Sequence, residues 1–256
     1  MTSNKGPGSA LCRRCRRLVS KGTKVCVHCG TRMPTVGQSR ALRGMFDGID
    51  VNTVVMGTCV LMYTGTVMVT ANVAPDVLRN PPSWFSIGAP SGQTLVTMGA
   101  TSGPHLSSGM LWTLLSASYL HGSLLHIGFN LMFIRDLGRI VTDIFGPARY
   151  FIIFTLTGVG GFLLSNLGSG ALTVGASCSA FGMMGALVVF GWRRGGAAGD
   201  AIKSQVLRWA ILSVLFTAGM SNVNHWGHAG GFIAGALLAF ALPQQEGEEA
   251  STGTTV

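Results

Sequence analysis

Four stretches of this chain carry no Asp, Glu, Lys or Arg: residues 51–75, 80–134, 150–192 and 209–245. A helix needs about 20 mostly apolar residues to cross a bilayer, so these runs constrain the fold more than any other feature. Charged residues make up 11% of the chain, against about 25% in average soluble domains. The first run holds one helix. The second opens with PPSWFSIGAPSGQ, a Pro/Ser/Gly-rich stretch that reads as a long loop before a single helix. The third divides near NLGSGAL and the fourth near SNVN, giving a pair each. Six spans follow, at 52–74, 114–134, 149–166, 174–192, 206–220 and 226–243. The expected fold is an all-α membrane protein.

The basic residues orient it. Ten Lys and Arg precede residue 51, three fall at Arg135, Arg139 and Arg149, and four at Arg193, Arg194, Lys203 and Arg208. All of these lie on one side of a six-span topology, and Arg79 alone lies on the other. The positive-inside rule therefore puts both termini in the cytosol. The net charge of +9 is read as this topogenic signal. Basic residues spread over several loops speak against a nucleic-acid partner. The first apolar run is too long and too far into the chain for a cleaved signal peptide.

The tail reads CRRCRRLVSKGTKVCVHCG, with Cys12 and Cys15 in one CxxC and Cys26 and Cys29 in another. Two such knuckles supply four thiolates for a tetrahedral structural zinc. Cytosolic placement weakens a disulfide reading, and the tail is too short for a thioredoxin-like unit. His28 is read as a bystander. The expected organisation is a zinc ribbon at 1–30, a linker at 31–50, a six-helix domain at 51–243 and a disordered tail at 244–256. The ribbon's task is left open between docking a cytosolic partner and regulating the core.

Ionisable and polar groups inside spans are costly and hence candidate functional groups. The second span carries HGSLLHIGFN, with His121, His126 and Asn130; the fourth carries Ser177; the sixth carries NHWGHAGG, with His225 and His228. His126 and Asn130 share a face at i, i+4. His228, Gly231 and Gly235 form a small-residue stripe, which lets helices approach closely in lipid. Gly182, Gly185 and Ala186 of the fourth span can receive that stripe. Spans 2, 4 and 6 all run inward from the outer face. Ser177 and His228 sit about one turn into their spans, and His126 lies about 18 Å along its own. The three clusters thus share the outer half of the bilayer. Taken singly, each residue also fits a packing role, and the His/Asn pair fits a proton relay or ion path. Their combination with a serine at matching depth favours a hydrolytic site.

HxxxN, GxSx and HxGGxxxG, in that order, resemble the rhomboid intramembrane serine proteases. Here they read His126-Ile-Gly-Phe-Asn130, Gly175-Ala-Ser177-Cys178 and His228-Ala-Gly230-Gly231-Phe-Ile-Ala-Gly235. The likeness covers about residues 97 to 240, including the stretch before His126 and DIFGPARYFIIF, and leaves the cysteine module outside. It implies a six-helix rhomboid bundle; with the zinc ribbon expected from the cysteine spacing, the chain is expected to be a rhomboid bundle preceded by a small cytosolic zinc ribbon, in a bacterial inner membrane. It implies an intramembrane serine endopeptidase that cuts transmembrane segments of other proteins, with no cofactor for catalysis.

Under this resemblance Ser177 is the nucleophile and His228 its base. His126, Asn130 and the Ser177 N–H bind the oxyanion, Phe181 stacks on the imidazole, Gly175 precedes the nucleophile and His121 holds the loop. The sequence departs from the family pattern at Cys178, where Gly is usual, and at Thr113, where Trp-Arg is usual. Ala176 in place of Pro argues against the inactive branch. A pseudoprotease that binds helices without cutting, and a transporter, are the rival readings. Helical phase puts Ser177 on one face with Phe181 and Met184, and rotates Cys178 and Ser179 away toward neighbouring helices.

Overall fold

The computed structural model describes residues 9–12, 17–20, 23, 25–30, 50–220 and 223–242. The chain divides into two units, Met1–Gly48 and Ile49–Val256. Cys15, nearly all of the 31–50 linker and the 244–256 tail lie outside the described residues.

In the first unit, strand β1 (Ser9–Leu11) pairs antiparallel with β2 (Leu18–Ser20), Ala10 opposite Val19. The Cys12 N–H returns to the Arg17 carbonyl at 2.9 Å, and the Gly30 N–H closes a turn on Cys26 at 2.9 Å. These two turns present the cysteines.

The second unit is built on six long helices: α1 (Val51–Val73), α2 (Leu124–Phe145), α3 (Pro147–Gly168), α4 (Ser177–Arg194), α5 (Gly196–Thr217) and α6 (His225–Ala241). Short helical turns at Pro75–Arg79, Gly92–Thr97, Gly103–Ser107 and Thr113–Ser116 fill the connection between α1 and α2. Among the described residues, α1 and α3 are long and apolar enough to cross a membrane by length and composition.

Capping residues set the starts. Asp50 caps α1 by accepting from the Asn52 and Thr53 N–H groups, and its bond from the Thr53 hydroxyl holds its carboxyl below the usual range. Ser123 caps α2 at the His126 N–H, 3.2 Å away. Gly146 and Pro147 turn α2 directly into α3.

Two boundaries differ materially from the sequence expectation. The second helix is not 114–134 but Leu124–Phe145. The Ser123 cap fixes its start, while 113–119 forms separate short turns. It then runs on past the end of the charge-free stretch, because a helix carries charges at a wetted end without breaking. His126 is therefore its third residue, not one 18 Å along, and Asp136 and Asp143 lie within the helix. The fifth helix is Gly196–Thr217, not 206–220. Its early turns carry the Lys203–Asp200 ion pair at 2.8 Å and the Arg208–Gln205 hydrogen bond at 2.9 Å, so Asp200 too lies inside a helix. The ends of the other four helices shift by one to three residues, and Ser177 becomes the first residue of α4 rather than lying a turn inside.

Helix α4 is the central element. It packs against α2, α3, α5 and α6, and apolar or small residues run all round its surface, as a fully enclosed helix requires. Its contact with α6 is backbone on backbone. A Cβ at Gly231 would run into the Cys178 carbonyl, one at Gly235 into the Gly182 carbonyl, and one at Gly185 into the Phe232 carbonyl. On the other side of α6, Gly160 and Gly161 of α3 face Ala234 and the Gly227 carbonyl. Close approach of this kind is how helices gain packing in lipid, where no hydrophobic force drives them together. At the far end of the bundle, the Tyr150 hydroxyl of α3 donates to Asn52 Oδ1 of α1 at 2.8 Å in a buried setting, and Asn52 Nδ2 donates to the Arg135 carbonyl of α2 at 3.4 Å.

Candidate active site

The strand-like loop between α3 and α4 is held by backbone bonds. Thr101 and Thr173 exchange N–H···O bonds of 3.1 and 2.8 Å, the Gly103 N–H reaches the Gly170 carbonyl at 3.1 Å, and the Gly175 N–H reaches the Ala117 carbonyl at 2.8 Å. Gly175 has φ +124°, and a Cβ there would lie 2.7 Å from Cε1 and Nε2 of His126. Only glycine adopts that backbone without strain while letting the ring lie against it. The chain then enters α4 at Ser177, with Ala176 as a cap that offers no side-chain acceptor. The first N–H groups of α4 are left for another acceptor, the arrangement from which helix N-termini bind anions.

Helix α6 brings the imidazole. Its cap Asn224 accepts the Gly227 N–H at 2.8 Å, and His228 follows one turn in. With Gly231 pressed on the Cys178 carbonyl, His228 Nε2 and Ser177 Oγ come within 3.0 Å. Phe181, one turn beyond Ser177, stacks on the His228 ring with centroids 4.3 Å apart and planes 10° from parallel. No carboxylate bonds to His228, and its Nδ1 has no hydrogen-bond partner among the described residues. His225 meets His228 edge-on at 6.1 Å.

His126 stands across Gly175 from the dyad. Its Nδ1 accepts the Gly122 N–H at 3.2 Å, so the proton of the neutral ring resides on Nε2, the nitrogen on the Gly175 side. Asn130 is buried and donates one Nδ2 hydrogen to the His126 carbonyl at 2.8 Å, leaving the second free. His121 is fully buried, and its ring centroid lies 5.3 Å from that of His126 in an edge-on pair. Ser177 and His126 are half-buried and retain exposed surface, while His228 is buried.

The two neighbours of Ser177 are occupied elsewhere. Cys178 packs with Leu114, Ala117 and Phe162 and fills the space beside Gly161 and Gly227. The Ser179 hydroxyl donates to the Phe154 carbonyl at 2.7 Å. Thr113, at the position of the family's Arg, is buried and donates to the Met110 carbonyl at 2.7 Å and to Thr101 Oγ1 at 3.2 Å. Thr101, Thr173 and Asn224 carry much of the geometry and were not singled out from sequence. Asn224, an Asn directly before a helix, had the signal of a cap; Thr101 and Thr173 had none, because their pairing is long-range.

In the first unit, the Sγ atoms of Cys12, Cys26 and Cys29 all lie within 4.8 Å of one another, with Cys12 and Cys29 at 3.5 Å. Tetrahedral zinc with bonds near 2.3 Å separates its sulfurs by about 3.8 Å, so three thiolates fit such an ion. The fourth expected ligand, Cys15, lies outside the described residues. The exposed His28 turns Nε2 to the Leu18 carbonyl at 3.2 Å.

The chain is 30% identical over 60% of its length to rhomboid protease GluP of Bacillus subtilis, of which it covers 31%. It is 31% identical to rhomboid-like protease 3 of Toxoplasma gondii, with 58% of each chain covered. It is 34% identical to RHOMBOID-like protein 7 of Arabidopsis thaliana, over 62% of this chain and 53% of that one. The chain thus spans less than two thirds of each of these relatives. Residues 108–245, just over half of the chain and all of the dyad region, match the rhomboid domain model. The chain belongs to the rhomboid family.

Proposed function

We propose that this protein is an intramembrane serine endopeptidase that cleaves transmembrane segments of other membrane proteins. The 3.0 Å contact between Ser177 Oγ and His228 Nε2 carries this reading. Ser177 Oγ attacks the scissile carbonyl carbon and its proton passes to His228 Nε2. The tetrahedral intermediate collapses, the C–N bond breaks, and His228 returns the proton to the leaving amine. Water then attacks the acyl-enzyme, its proton goes to His228, and Ser177 recovers a proton as the carboxylate leaves. Phe181 stands in for the missing third member by holding the imidazole plane. The Nε2–H of His126, the free Nδ2–H of Asn130 and the Ser177 N–H form the oxyanion site, where losing one donor typically costs about 10²–10³ in rate. Gly175 keeps His126 close, and His121 buttresses its ring.

In this reading all six helices span the bilayer, residues 51–243 form the protease domain, and both termini are cytosolic in a bacterial inner membrane. Helices of 17 and 18 residues, α6 and α4, sit at the short end of the spanning range. The cysteine module binds one structural zinc through Cys12, Cys15, Cys26 and Cys29, and is the surface for a cytosolic partner. Catalysis itself needs no cofactor.

The test is purified protein with a model transmembrane substrate in vesicles. Ser177→Ala and His228→Ala should each abolish cleavage. Persistent cut product in either variant refutes the dyad. Zinc content should be about one per chain and fall on replacing the tail cysteines.

A further inference from the structure

A polar cluster joins the end of α3, the loop before α4 and the start of α6. Thr173 lies four residues before Ser177, and Asn224 lies four residues before His228. Besides capping α6 through Oδ1, Asn224 donates from Nδ2 to Thr173 Oγ1 at 2.8 Å and bonds Ser165 Oγ in the last turn of α3. The Ser165 and Thr173 hydroxyls are 3.3 Å apart. Thr173 is in turn bonded through its backbone to Thr101, which accepts from Thr113. Ser165, Thr101, Thr113 and Thr173 are all buried.

We propose that Asn224 is a positioning residue: its amide locks the start of the base helix to the loop that launches the nucleophile, and so sets the Ser177–His228 separation. The inference rests on the dyad reading above. The backbone bonds of the loop before Ser177 run to Thr101 and Ala117 and not to α6, and Gly175 and Ala176 offer no polar side chain that could reach it. The α4–α6 contact fixes how closely the helices approach, but a contact made of glycines leaves them free to slide along one another. A directional bond between the two entry points removes that freedom. Asn224 stands one helical turn before His228 and Thr173 four loop residues before Ser177, so a slip at the tether is carried to the dyad through short segments on both sides. A 1 Å misplacement of reacting groups can cost about 10²-fold in rate.

A plain capping role and this positioning role separate by substitution. Serine caps a helix about as well as asparagine but is too short to reach Thr173. Asn224→Ser should therefore lower kcat and the rate of Ser177 labelling by a fluorophosphonate probe by about tenfold or more in folded protein, with KM little changed and the thermal midpoint lowered only as far as losing buried hydrogen bonds accounts for. Thr173→Val, which removes the acceptor from the other side, should do the same. Thr173→Ser, which keeps the oxygen, should restore the rate. Asn224→Ser combined with Thr173→Val should be little worse in labelling rate than Asn224→Ser alone, since each already removes the Asn224–Thr173 bond. Wild-type labelling rates in Asn224→Ser and Thr173→Val, with Ser177→Ala inert, would overturn the proposal and leave the dyad standing. If Asn224→Ser does not fold, Thr173→Val against Thr173→Ser decides the matter alone. Labelling and cleavage that survive Ser177→Ala would instead remove the dyad reading and this inference with it.

Discussion

The α4–α6 contact makes Gly231→Ala a sharp probe of how the site is held. A Cβ at position 231 would sit 2.8 Å from the Cys178 carbonyl carbon and 3.2 Å from its Cα, as well as against the carbonyl oxygen. Carbon atoms settle at about 3.5–4.0 Å, so α6 must retreat from α4 by about 0.7 Å or more. No rotamer can absorb this, because every obstructing atom is backbone. Cys178 adjoins Ser177, and His228 lies one turn from Gly231 on the same face. The Ser177–His228 distance of 3.0 Å would grow to about 3.7 Å, beyond hydrogen-bond range. At the sensitivity noted above, the expected loss is about 10²-fold in kcat, or about 2.7 kcal/mol of transition-state stabilisation. Cleavage of a model substrate and fluorophosphonate labelling both read it, with the thermal midpoint reporting folding. Gly57→Ala is the control: the same change in a helix, with nothing within 4 Å of the added carbon, should leave activity intact. A folded Gly231→Ala protein with activity within threefold of wild type would refute the claim that backbone contact spaces the dyad.

Three further outcomes follow from the same geometry. Gly175→Ala adds both backbone strain at φ +124° and a collision with the His126 ring, and should cut kcat by about 10² or more while binding of substrate persists. Cys178→Gly should preserve cleavage and lower stability by about 1–2 kcal/mol, since the thiol fills a packed apolar site and does no chemistry; a cleavage defect alongside an active Ser177→Ala would mean the wrong nucleophile had been chosen. Tyr150→Phe strands the buried Asn52 Oδ1 and should cost about 1–3 kcal/mol in unfolding experiments, with kcat in surviving folded protein unchanged.

The parts of this site that were legible in sequence share a cause. Ser177, His126, Asn130 and His228 stand out because polar groups are rare in apolar runs, and the glycine spacing beside His228 announces which helix face is crowded. Phe181 followed from helical phase together with the family resemblance. The ends of α2 and α5 did not, because absence of charge marks where lipid can be, not where a helix stops; Ser123 and Gly195, not the charge pattern, set the starts. The Thr113–Thr101 and Thr173–Asn224 ties were illegible for a different reason. Each joins residues that are common in loops and distant in sequence, and hydroxyl pairs leave no periodic trace. Thr113, where the family usually has Arg, is in the fold a buried hydroxyl joined to the same loop system.

The absence of side chains between α4 and α6 also shapes which changes the protein can accept. Glycine is the smallest residue there is, so at Gly231, Gly235 and Gly185, where an added carbon would meet backbone, every mutation adds atoms and none can remove them. An ordinary core explores variation by trading volume, a larger group here against a smaller one there. This seam has nothing left to trade, and any tolerated change must come as a concerted shift of a whole helix. The route to altered substrate preference therefore runs through residues around the dyad, and a library that randomises the seam should return almost nothing but glycine.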